Sequence, residues 1–129
     1  MKQLFLFLVF IFSSSSFACS CIKASIEDAF KNADYVYIGQ IESAKRTGLT
    51  EVTNYLSITK GFKGARETDV LISEISEGTC ASIAAVGYTY VVFGKNDALP
   101  KLHACSQTQM LFGGKQELVD KLSSLATNK

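Results

Sequence analysis

The residues with the widest chemical scope in this 129-residue chain are four cysteines, Cys19, Cys21, Cys80 and Cys105, and one histidine, His103. Thiolates and imidazoles ligate zinc, but Cys-x-Cys and His-x-Cys are not the two-to-four-residue spacings of structural zinc sites. An even number of cysteines behind an export signal reads instead as two disulfides. A bond from Cys19 to Cys21 would close a strained ring, with Cα atoms near the upper limit of disulfide geometry. Two connectivities remain, each tying both N-terminal cysteines to the distant pair. Every such bond closes a loop of roughly 60 to 85 residues, for which the chain-entropy model gives about 4 kcal/mol. Residues 19–21 are therefore expected to be pinned where a chain end would ordinarily fray.

The export signal is read from residues 1–18. Lys2 precedes an unbroken apolar run from Leu4 to Phe12, followed by Ser13 to Ser16 and the small residues Ser16 and Ala18. This is the layout of a secretory signal peptide, and nine apolar residues are about half the roughly 20 that span a bilayer as a helix. Cleavage after Ala18 leaves a mature chain, residues 19–129, of 111 residues that begins with Cys19. A lipid-modified Cys19 is the competing reading, but Ser16 stands three residues before it where a lipoprotein signal carries an aliphatic residue.

Subtracting Lys2 from the 13 basic residues leaves 12 against 12 acidic ones. A formally neutral domain lacks the basic excess that drives nucleic-acid binding. With 47% hydrophobic and 19% charged residues the chain reads as one small globular domain, secreted to the extracellular space or a bacterial periplasm. No transmembrane segment, cofactor or nucleic-acid partner is expected, and the domain is read as a monomer.

The elements that must hold the cysteines follow from periodicity. Ser25 reads as an N-cap for a short helix to Asn32, with Glu27 and Asp28 in its first turn. Tyr35 to Ile41 reads as a strand with a bulge at Gly39, and Val52 to Phe62 as its hairpin partner. Val70 to Ile75, Gly87 to Gly94 and Lys101 to Cys105 supply three more strands. After Gly113 and Gly114, the residues Leu118, Val119, Leu122 and Leu125 fall on one face of a helix over Glu117 to Ala126. The fold class is mainly β: five strands in a closed or partly open OB-fold-like barrel, with a short N-terminal helix and a C-terminal helix.

Enzymatic chemistry has no visible carrier. The chain has one histidine and lacks a Gly-rich phosphate loop after a strand, and disulfides would commit its cysteines, so it is read as a non-enzyme.

Cys19-Ser20-Cys21, the stretch Ala29-Phe30-Lys31-Asn32-Ala33-Asp34, the turn Phe62-Lys63-Gly64, and the later Cys80 and Cys105 together resemble the inhibitory domain of the tissue inhibitors of metalloproteinases, a netrin-like module with an OB-type barrel. The resemblance covers nearly the whole of residues 19–129. It implies the pairing Cys19 to Cys80 and Cys21 to Cys105. It further implies that the free α-amine and carbonyl of Cys19 chelate the catalytic zinc of a target metalloprotease while the Ser20 side chain enters the adjoining specificity pocket. Cys21, Ile22, Thr79, Cys80 and Ala81 would flank that ridge. The chain itself would hold no metal. Lys31 stands where the family has a further cysteine, so the family's third bridge is absent here. The alternative is a netrin-like module that binds a protein or glycan through its barrel, without protease inhibition.

Overall fold

The computed structural model describes residues 19–129 except 65, 67, 76–79, 81, 114 and 129. Seven elements follow in order: α1 (Ile26–Asn32), β1 (Tyr35–Arg46), β2 (Glu51–Lys63), β3 (Thr68–Glu74), β4 (Thr89–Gly94), β5 (Gln109–Met110) and α2 (Gln116–Thr127). The strands form one antiparallel sheet in the order β3-β2-β1-β4-β5.

Strand pleating sends successive side chains to opposite faces, and β4 and the first half of β1, Tyr35 to Gly39, are buried on both. Tyr35, Tyr37, Ile41, Leu56, Leu71, Tyr90 and Val92 fill one face with Leu102. Val36, Ile38 and Val91 fill the other, where Phe30 and Ala33 and the α2 residue Leu122 cover them. Leu118, Val119 and Leu125 pack against that second cluster, so the face of α2 expected from spacing is the one that docks. The β1–β2 register shifts between Ile38 and Gly39, the bulge expected there.

Two stretches of the sequence that look unrelated meet at the end of α1. Ser25 caps the start, its hydroxyl accepting the Asp28 amide at 3.1 Å. At the other end the last carbonyls of a helix have no intrahelical donor. The Lys63 ammonium supplies one, donating to the carbonyls of Phe30 (2.9 Å), Lys31 (3.1 Å) and Ala33, with its charge at the negative end of the helix dipole. Gly64 then turns at φ +66° against Tyr35, where an added Cβ would lie 2.8 Å from that residue's own. The Phe62-Lys63-Gly64 turn thus holds the Ala29 to Asp34 stretch in place.

Among the described residues the edge strands β3 and β5 do not pair with each other, so the sheet is open, where a closed or partly open barrel was expected. The expected strand over Lys101 to Cys105 is also absent as such. Lys101 makes one parallel bridge to Ile72, with the Ile72 amide donating to Pro100 (2.9 Å) and the Leu102 amide to Ile72 (2.8 Å). The chain then turns, the Ser106 amide donating to the His103 carbonyl at 3.0 Å. Three residues later comes β5, too short to leave a periodicity in the sequence. No helix among the described residues is long and apolar enough to cross a membrane.

Candidate functional site at the cross-linked N-terminal segment

Residues 19–25 lie outside helix and strand, and Cys19, Ser20, Cys21 and Ile22 are all exposed. Such a segment has no ladder to hold it, and covalent bonds take over that task. Cys19 is bonded to Cys80 (Cα–Cα 5.6 Å) and Cys21 to Cys105 (Cα–Cα 5.7 Å), the pairing that the resemblance implies. With all four sulfurs joined, the chain has no thiolate to offer a zinc ion.

The two anchor points are themselves tied together. The Ala104 amide, next to Cys105, donates to the Cys80 carbonyl at 2.8 Å, and the Ser82 amide donates to the Leu102 carbonyl at 3.2 Å. Gln107 reaches back to the segment through its side-chain amide, which donates to the Ala24 carbonyl. Cysteines bonded across as many as 84 residues of sequence are thereby gathered at one end of the domain. Ser20 sits between the two bonded cysteines and Ile22 just beyond, its side chain fully in solvent at 101% of the reference area. Thr79 and Ala81, expected to flank the ridge, lie outside the described residues.

His103 has a structural task that its position in the sequence does not disclose. Its Nδ1 accepts the Cys105 amide at 3.1 Å, and its carbonyl accepts both the Ser106 amide and the Ser106 hydroxyl at 3.0 Å. A backbone N–H can only donate, so the ring proton of neutral His103 sits on Nε2. The imidazole therefore shapes the turn that presents Cys105 to Cys21. Close by, Tyr90 is wholly buried and its hydroxyl accepts the Ala85 amide at 3.0 Å. Burial pushes this phenol above its ordinary range, so it keeps its proton.

Among the described residues no three His, Cys, Asp or Glu side chains converge as ligands for a metal. Fold and site together define a mainly β domain, a five-stranded antiparallel sheet with two helices, whose exposed N-terminal segment is stapled to the body by two disulfides. The chain matches no protein-family model and no curated protein sequence.

Proposed function

We propose that the protein is an exported inhibitor of zinc metalloproteases that acts through the mature N-terminus created by cleavage before Cys19. The observation that carries this reading is the exposure of Cys19, Ser20, Cys21 and Ile22 on a segment fixed at two points only a residue apart. A catalytic zinc keeps one position for water. A neutral amine and the neighbouring carbonyl oxygen of Cys19 replace that water as a two-atom clamp. The reference pKa of an α-amine, about 7.7 to 8.0, makes deprotonation inexpensive near neutral pH. Immobilising the chelating residue in advance lowers the ordering cost of binding. Ser20 offers a small side chain to the adjoining pocket, which favours breadth of target over tightness.

The single parallel bridge between Ile72 of β3 and Lys101 supports an OB-type reading. On this reading the domain is a secreted, monomeric, netrin-like module with no cofactor of its own, and its partner is the protease.

The test compares the cleaved protein with a form carrying one additional alanine before Cys19, both assayed against a panel of zinc proteases. The extended form is expected to lose at least 100-fold in potency. Equal inhibition by the two forms would refute chelation, and inhibition by neither would refute the inhibitor reading itself.

A further inference from the structure

Behind the N-terminal segment lies a cavity of about 210 Å³ whose floor includes Leu102 and Met110 and whose rim carries the exposed Ile83. Its apolar part matches an aliphatic or aromatic group of modest size. Four of its polar side chains already accept a hydrogen bond from the protein and still have a proton to give. His103 lines it with Nδ1 taken by the Cys105 amide, which leaves Nε2–H. Gln109 lines it with Oε1 taken by the Lys115 ammonium at 2.7 Å, which leaves its NH₂. The Thr108 hydroxyl accepts the Phe93 amide at 3.1 Å and the Tyr90 hydroxyl accepts Ala85, so each keeps its own proton to give. Thr108 and Tyr90 are buried, at 3% and 0% exposure, and among the described residues neither proton meets an acceptor. Among the described residues Lys23 is the only formally charged one lining the cavity, and it is exposed and has no acidic partner there.

Buried donors without acceptors are costly, and a carboxylate, which only accepts and has about four lone-pair sites, is the group that relieves them. A lysine at the mouth adds a charge-assisted bond. We infer that this cavity binds an apolar carboxylate, with the hydrocarbon against Leu102, Met110 and Ile83 and the carboxylate among Lys23, His103, Gln109 and the two hydroxyls. The ligand is either a small free acid or the C-terminal residue of a peptide, which present the same chemistry. The site is independent of the Cys19 amine and stands whether or not the protein inhibits proteases.

The test is an NMR titration of the purified protein with N-acetyl-leucine, N-acetyl-leucinamide, and a pentapeptide ending in leucine with its C-terminus free or amidated. The free acid is expected to shift the amides of His103, Gln109 and Met110 and to bind at least tenfold more tightly than the amide. Lys23→Gln, which removes no hydrogen bond or ion pair among the described residues, is expected to weaken the acid at least fivefold and leave the melting temperature and amide binding unchanged. A peptide tenfold tighter than N-acetyl-leucine identifies a chain terminus as the ligand, and equal affinity identifies a free acid. Acid and amide binding alike, shifts confined to other regions, or no shift at 10 mM ligand would overturn the inference.

Discussion

Removing the Cys21–Cys105 disulfide with paired alanines is expected to cost less than its 84-residue separation suggests, because the two bonds overlap. With Cys19–Cys80 intact, the shortest path from Cys21 to Cys105 runs two residues back to Cys19, across the bond, and 25 residues on from Cys80, about 27 in all. In the chain-entropy model a loop of about 27 residues is worth about 3.5 kcal/mol, against about 4.5 for an isolated loop of 84. By the same path, removing Cys19–Cys80 alone also costs about 3.5 kcal/mol, and removing both costs about 8. For a domain of this size the single loss lowers the melting temperature by about 15 °C. Guanidinium unfolding of the two single-bridge variants, read as midpoint and slope, measures the loss directly. A loss below about 1 kcal/mol in either variant would refute the reasoning that these bridges confine the unfolded chain. A large loss in one and none in the other would refute the overlapping-loop argument.

Lys63→Met withdraws the donor shared by the Phe30, Lys31 and Ala33 carbonyls and is expected to destabilise by about 2 kcal/mol in urea unfolding, with Lys63→Arg closer to the parent. Gly94→Ala places a Cβ 2.0 Å from the Tyr35 ring, which stacks on Tyr37 and lies under Arg66, so a loss of about 3 kcal/mol is expected by the same measurement. Burial pushes Tyr35 up to about 12, and burial with the bond its hydroxyl gives Asp69 pushes Tyr37 higher still. Both groups hold their protons longer in the fold than in the unfolded chain. Their contribution is therefore complete below pH 10 and is lost as pH rises above it, for Tyr35 through about 12 and for Tyr37 beyond, so in the intact fold Tyr35 stays silent at 295 nm until near pH 12 and Tyr37 until unfolding. Their ionisation near pH 10 in the intact fold would contradict this.

The elements that were legible in the sequence are those whose signals are local. Ser25 caps α1 through a contact three residues away, Gly39 marks its bulge within one strand, and the α2 stripe from Leu118 to Leu125 is a periodicity. What was not legible depends on distant partners. Lys63 reads as one lysine among many until the fold brings it to carbonyls some 30 residues away. His103 to Cys105 was expected to continue a strand, but the His103 imidazole accepts the Cys105 amide and turns the chain. At the site the sequence gathered the four cysteines and left their partners open. The pairing came from resemblance, because four half-cystines carry no local sign of which joins which. The donors around the cavity behind the segment come from Lys23 and from residues 90–109, and only the fold assembles them.

The proposed inhibition depends on one amine. Brief cyanate treatment near neutral pH carbamylates an α-amine in preference to lysine ammonium groups, because its pKa is lower by about two units or more. Inhibition of a sensitive zinc protease by the cleaved protein, measured against the fraction of Cys19 amine blocked, is the direct measurement. Inhibition is expected to fall in proportion and vanish at full modification; inhibition retained in full with the amine quantitatively blocked would contradict chelation by Cys19.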